Sequence, residues 1–336
     1  MAQRGDMAEA LLRLVRAKTG DAGATVGAIE VLPGHAGFSY SFVLRRSDPA
    51  ARPAGKLVLR VAPEGVRIAG PADVVRQAKI MQSLADTDVP VPPVLWFGDE
   101  AEFFGGPYFV DTFLDGFKLV DRPDLPAAEK RALAAEGVRL LARLHRVDWQ
   151  ARRAAWGDPV PLAEEMKRLD HLLDRPTLDP AAVARAPELR RRLNASLPAT
   201  PQVGCVHGDF QWANVLFHGG RVSALIDWEI ALLGPTLLDL GWLCFFADPD
   251  SWVSAERIRS APLDPATIVA TYAEASPRPV PEADVRWFRA FAGYRFGVIT
   301  CFNLMLHRRG KRPDPTWEET ALSAPRMFEH GLELLN

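Results

Sequence analysis

Apolar and polar positions follow two different periods along this chain, and the change of period divides it. Residues 6 to 18 place Met7, Leu11, Leu14 and Val15 at helical spacing among charged residues, which predicts an amphipathic helix. From there to about position 61 the pattern shortens to the alternation of β-strands. A second amphipathic helix is predicted over about 72 to 85, and two more strands reach about 112. Beyond that point helical spacing dominates. Residues 126 to 147 set Leu133, Leu140, Leu141 and Leu144 on one face of a long helix. A Pro- and Arg-rich stretch from about 150 to 200 reads as helical, and helices are expected from 235 to the end. Three short apolar runs, 203 to 206, 215 to 217 and 222 to 226, have strand composition instead. Gly219-Gly220 between the last two is a hairpin signal. A chain of 336 residues exceeds one typical core, so two lobes are expected. The pattern places them at 1–112, strands with helices, and at 113–336, mainly helical.

The chemistry gathers on the short runs. His207-Gly208-Asp209-Phe210-Gln211-Trp212-Ala213-Asn214 follows the first run, and Ile226-Asp227-Trp228 follows the third. A hairpin turning at Gly219-Gly220 pairs position 214 with about 225 or 226, which brings Asn214 and Asp227 to its open end. Asp209 enters the same end from the preceding loop. Magnesium takes oxygen ligands, one or two of them carboxylates, and leaves the rest to phosphates and water. Asn214 and Asp227 meet that requirement, and Asp209 remains to accept the proton of a hydroxyl. A lone Asp-x4-Asn would more simply be a turn, where such side chains satisfy local backbone groups. The whole His-Gly-Asp-x4-Asn pattern, with Ile-Asp-Trp in hairpin register behind it, favours a phosphoryl-transfer site.

At these residues the chain resembles the aminoglycoside phosphotransferase and choline kinase-like superfamily, which shares the protein-kinase fold. The resemblance implies an α+β, two-lobed, protein kinase-like architecture, with an antiparallel sheet and helix in a small N-lobe and a larger helical C-lobe. It implies ATP and magnesium as cofactors, Asp209 as catalytic base, and Asn214 and Asp227 as metal ligands. The parts correspond to the general kinase template. Pro33-Gly34-His35-Ala36-Gly37-Phe38-Ser39-Tyr40 looks like the family's phosphate loop, so Gly34, Gly37 and Ser39 are expected to cover the nucleotide phosphates. Lys56-Leu57-Val58-Leu59-Arg60 looks like its third strand. Val110 to Leu114 is expected to run extended as the hinge, with main-chain groups of Asp111, Thr112 and Phe113 facing adenine. Within the superfamily the chain is most similar to the kinase-like domain fused to some acyl-CoA dehydrogenases. Residues 152 to 200 and the final helices match only loosely.

Two positions depart from the family pattern. Arg60 stands where Lys is usual, and a permanently charged guanidinium grips phosphate in a bidentate way. Gln77 stands where a Glu would pair with that cation; it can orient the guanidinium but not neutralise it, and Glu64 or Asp73 is named as a substitute carboxylate. His207 is expected to hold the loop, His145 to be a satisfied core group, and Asp239 to tie the loop or cap a helix. Glu229 reads equally as a site residue or a solvated charge. Arg295, alone among apolar residues, requires a buried partner, and an ion pair is expected.

Composition narrows the remaining choices. A formal net charge of −2 offers no basic surface for nucleic acid, and no nucleic-acid partner is expected. No long apolar run or signal-like N-terminus occurs, so no membrane partner is expected. Three cysteines without metal-like spacing fit reduced thiols and a cytoplasmic location. Oligomeric state is left open. The partner expected is a small-molecule hydroxyl acceptor. From 230 to 336 there are 13 acidic and 11 basic residues, with many aromatics. That balance favours a less polar acceptor, such as a hydroxyacyl derivative, over a polycationic aminoglycoside. The alternatives are an aminoglycoside phosphotransferase and a non-catalytic nucleotide-binding or scaffolding protein. A protein kinase is disfavoured by His-Gly-Asp in place of His-Arg-Asp and by the lack of an Ala-Pro-Glu activation segment.

Overall fold

The structure is a computed structural model, and it describes residues 4–32, 38–62, 68, 70–175, 177–253 and 261–336. The elements begin with α1 (Arg4–Thr19), β1 (Thr25–Leu32), β2 (Phe38–Arg45), β3 (Gly55–Val61), α2 (Val74–Ser83), β4 (Val94–Gly98), α3 (Ala101–Phe104) and β5 (Tyr108–Thr112). They continue with α4 (Ala127–Arg146), α5 (Arg153–Trp156), α6 (Leu162–Leu173), α7 (Ala186–Ala195), β6 (Val203–Val206), β7 (Val215–His218), β8 (Arg221–Leu225) and β9 (Leu232–Pro235). The last are α8 (Leu237–Ala247), α9 (Pro265–Ala275), α10 (Glu282–Arg308), α11 (Thr316–Thr320) and α12 (Ala324–Leu334). The chain forms two compact units. The first holds 1–116 with 154–156 and 223–231; the second holds 117–153, 157–222 and 232–336.

The first unit is built on an antiparallel sheet of order β1-β2-β3-β5-β4. Directly opposed residues of an antiparallel pair point to the same side. The register Tyr40↔Leu59↔Val110 and Phe42↔Leu57 therefore lines one side with apolar groups. Leu11, Leu14 and Val15 of α1 close over that side and complete a core. The register Ser39↔Arg60↔Phe109, with Val58↔Asp111 one step along, puts Ser39, Arg60 and Asp111 on the opposite side. A one-residue slip would move every apolar side chain out of the core, so the same alternation that builds the core fixes where Arg60 points. Helix α2 begins at Asp73, whose carboxylate accepts from the Arg76 amide at 2.9 Å. Its buried face includes Gln77 beside Ala78, Ile80 and Met81.

The second unit is mainly helical. α10 is its spine, 27 residues long, and it packs against α6, α7, α8 and α12. It buries residues on most of its circumference, as a helix enclosed by others must. At Gly241 the α8 backbone lies against α10: a Cβ there would sit 2.5 Å from the carbonyl carbon and oxygen of Phe288. β6 pairs antiparallel with β9, Val203↔Pro235 through Val206↔Leu232. The expectation of helix from 235 is thus adjusted: a short strand comes first and the helix starts at Leu237. β7 turns through Gly219-Gly220, at φ 57 and 77, into β8, the strand that carries the chain to the first unit. Cys205, Cys244 and Cys301 are unpaired and buried, and burial pushes each thiol up to about 12. Among the described residues, no helix is long and apolar enough to cross a membrane.

Candidate active site

The loop after β6 is held from below by one carboxylate. Asp239, fully buried in the first turn of α8, accepts the amides of His207 and Gly208, each at 2.7 Å. A carboxylate is well placed there, since the amides at a helix start favour negative charge. Gly208 turns the chain at φ 85, a value that a side chain would strain. His145 at the end of α4 braces Asp239 in turn, with Nε2 3.2 Å from its Oδ2 and Nδ1 2.6 Å from the Tyr272 hydroxyl. His145, Asp239 and His207 thus serve the loop from inside the core.

Asp209 projects from this loop, half-buried. Its Oδ1 accepts from Trp242 Nε1 at 2.9 Å and Gln211 Nε2 at 3.0 Å. Its Oδ2 accepts from Asn214 Nδ2 at 3.0 Å, and the same Nδ2 donates to the Asp209 carbonyl at 2.9 Å. The Asp209 amide donates to His207 Nδ1 at 3.3 Å, which assigns the His207 proton to Nε2. Three neutral donors therefore orient Asp209. Asn214 gives its amide nitrogen to Asp209, and its Oδ1 has no donor among the described residues. Beneath Trp242 lies Arg295, 2% exposed, with its guanidinium 4.7 Å from the indole ring centre. The expected ion pair is present: Arg295 Nε lies 3.7 Å from Glu165 Oε1. Burial lowers the Arg295 pKa, and Glu165 opposes that.

The other expected residues fall in the first unit. Arg60 Nη1 donates to Asp227 Oδ1 at 2.9 Å and to Gln77 Oε1 at 3.3 Å. Burial pulls this guanidinium down, and the carboxylates of Asp227, Glu229 and Asp111 outweigh it, leaving it above its ordinary value. Gln77 does orient the guanidinium, as its amide permits. Asp73 is committed to the start of α2, and Glu64 lies outside the described residues. The carboxylate that meets Arg60 is Asp227, a pairing that sequence reading missed. Asp227 holds φ 70, a left-handed value uncommon outside glycine, and such strain concentrates at functional positions. Ser39 is buried on the same side of the sheet as Arg60. Gly34 and Gly37 lie outside the described residues. Thr112 and Phe113 have given their amides to the Pro93 and Lys56 carbonyls, so an adenine edge here would be met by other groups of the strand end. Asp111 is buried, its Oδ1 has no hydrogen-bond partner among the described residues, and burial raises its carboxyl to about 7 against the pull of Arg60.

Taken separately, two side chains offer oxygen donors of the kind magnesium takes: the amide oxygen of Asn214 in the second unit and the carboxylate of Asp227 in the first. Among the described residues, no three His, Cys, Asp or Glu side chains form a ready cage.

Residues 31–280 match the APH model of the phosphotransferase enzyme family. The chain belongs to this family. It is 29% identical over 198 residues to Mus musculus acyl-CoA dehydrogenase family member 10, a match covering 56% of this chain and 18% of that much longer protein. A Ralstonia eutropha structure, provisionally assigned as an aminoglycoside phosphotransferase, superposes with a TM-score of 0.76 at 23% identity, over 97% of each chain. A thermostable mutant of the aminoglycoside phosphotransferase APH(4)-Ia, solved with ADP and hygromycin B, gives 0.63 at 17% identity over 97% of this chain and 98% of its own. These two likenesses concern the fold. The APH member described here therefore has the antiparallel sheet and helical C-terminal portion of kinase-like phosphotransferases.

Proposed function

We propose that this protein is an ATP- and magnesium-dependent phosphotransferase that moves the γ-phosphoryl group to a hydroxyl of a small molecule. The observation that carries the reading is the fixed Asp209 carboxylate, oriented by three neutral donors and only half covered. A carboxylate so oriented is aimed to accept a hydroxyl proton as the oxygen attacks. Residues 1–112 act as the lobe that binds nucleotide phosphates, and 113–336 as the catalytic and acceptor-binding lobe. Gly34, Gly37 and Ser39 cover the phosphates, and Arg60 grips one of them. The strand end at Asp111, Thr112 and Phe113 forms the adenine hinge through groups other than the Thr112 and Phe113 amides. Asn214 Oδ1 and Asp227 would hold magnesium, which when bound would offset the charge on the phosphate oxygens. Arg60 would hold a phosphate, and its present pairing with Asp227 keeps both side chains ordered until then. Asp239 holds the loop amides still while Asp209 works. Buried, unpaired thiols suit a reducing compartment, the cytoplasm.

For the acceptor, the rings around Trp242 are the guide. Phe246 and Phe296 lie 5.1 and 5.7 Å from it, beside the indole that binds Asp209. An apolar hydroxylated compound, such as a hydroxyacyl derivative, suits the partly buried Phe246 and Phe296 beside Trp242 better than a polycation would, and the likeness to an acyl-CoA dehydrogenase family member agrees. The second reading is a non-catalytic nucleotide-binding scaffold, favoured by the engagement of Arg60 with Asp227 and Gln77. Incubating the protein with ATP, magnesium and a metabolite extract, beside Asp209→Asn, separates the two. A phosphorylated species made only by the unaltered protein supports the enzyme and names its acceptor, an aminoglycoside included. Nucleotide binding with no such species supports the scaffold.

A further inference from the structure

Behind the catalytic loop, on the far side of Asp239, the second unit contains a cavity of about 270 Å³. His145, Arg146, Thr236, Tyr272, Ser276 and Arg278 are among the residues that line it, and among the described residues no Asp or Glu does. Arg146 ends α4, and Arg278 lies just past α9, so two guanidiniums reach one cavity from separate elements. Neither has a carboxylate partner among the described residues. The inner wall is polar and already ordered. The Tyr272 hydroxyl and His145 Nδ1 lie 2.6 Å apart, and His145 Nε2 is 3.2 Å from the Asp239 carboxylate. That carboxylate accepts the His207 and Gly208 amides at 2.7 Å each. A continuous line of hydrogen bonds thus runs from the cavity wall to the loop that carries Asp209.

The geometry points to an anion-binding site: a small dianion with bidentate oxygens, phosphate or dicarboxylate, held by Arg146 and Arg278, whose presence stiffens the Tyr272–His145–Asp239 line and so the catalytic loop. Guanidinium forks match the oxygens of both head groups and bind them through charge-assisted hydrogen bonds. The ligand adds charge on the solvent side of Tyr272 without touching Asp209, so its effect is on loop rigidity, independent of which acceptor the protein uses. A ligand that binds the ordered loop in preference to the loosened one shifts the population by that difference in affinity.

The test uses the full chain and two probes, inorganic phosphate and malonate, titrated separately by calorimetry. The variant is Arg146→Gln with Arg278→Gln; both side chains are exposed, and an unchanged melting temperature verifies that it folds. We expect at least one probe to bind, about tenfold or more weaker in the variant. The tighter probe identifies the head group. We also expect hydrogen exchange at the His207 and Gly208 amides to slow on binding in the unaltered chain and not in the variant. Equal binding by the variant, or no binding of either probe, overturns the site. Binding without slower exchange at those two amides overturns its link to the loop.

Discussion

Asp209 and Arg60 are the two charged side chains on which the proposed chemistry turns, and they are held in opposite ways. Asp209 is fixed by hydrogen bonds from the neutral side chains of Trp242, Gln211 and Asn214, and the buried Arg295 acts on it only through its field. Arg60 is fixed by an opposite charge, Asp227, with Gln77 in support. The difference follows from their tasks. A carboxylate that is to take a proton loses less of its affinity to neutral donors than it would to a cation bonded directly to it. A phosphate grip is permanently charged, and a carboxylate can hold it in place until phosphate arrives.

Removing the charge at Asp209 strikes hardest at the first arrangement. Asp209→Asn should lower turnover by about a thousandfold, equivalent to about 4 kcal/mol, while ATP still binds. Near-normal turnover by this variant would take the base role from Asp209. Next in size is the support beneath it. Asp239→Asn leaves one of the two loop amides facing an NH2 group, and should cost about 3 kcal/mol of stability in urea unfolding. A loss below about 1 kcal/mol would mean that the loop does not depend on this carboxylate.

Asp111 extends the comparison to a carboxyl near Arg60 to which no side-chain donor is bonded among the described residues. Its folded value, about 7, lies above the ordinary 3.8, because burial outweighs the pull of Arg60. A raised carboxyl adds stability that is fully present below about pH 4 and lost as pH climbs through 7. Asp111→Asn should flatten that fall and be more stable at pH 8 by about 2 kcal/mol. Melting temperatures at pH 5 and pH 8 that keep the same difference in both proteins would contradict the assignment. The smallest effect is expected at Trp242→Phe, which removes one of the three donors but keeps a ring over Arg295. Turnover should fall about tenfold, roughly 1.4 kcal/mol, with the KM for ATP unchanged. A change confined to the KM for ATP would separate Trp242 from the orientation of Asp209.

How much of this could be read from the sequence follows from distance along the chain. The sheet's two sides were legible because alternation is local: Leu57, Leu59 and Val61 give the core side, and Arg60 falls opposite. The His207 to Asn214 segment was legible because its parts lie within one loop. The donor from Trp242 comes 33 residues later, and Asp227 lies 167 residues from Arg60; neither contact leaves a trace in spacing. β9 was missed for another reason. Four residues, Leu232-Leu233-Gly234-Pro235, are too few to display a period, and they become a strand only because β6 pairs with them.

The three thiols give the helical unit an internal clock. A thiol reacts through its thiolate, and Cys205, Cys244 and Cys301 stay protonated and out of reach while β6, α8 and α10 remain packed. Alkylation by iodoacetamide therefore counts openings of that unit. The rate at which label accumulates on each cysteine reports how often its own element comes loose, without any probe having to be engineered in.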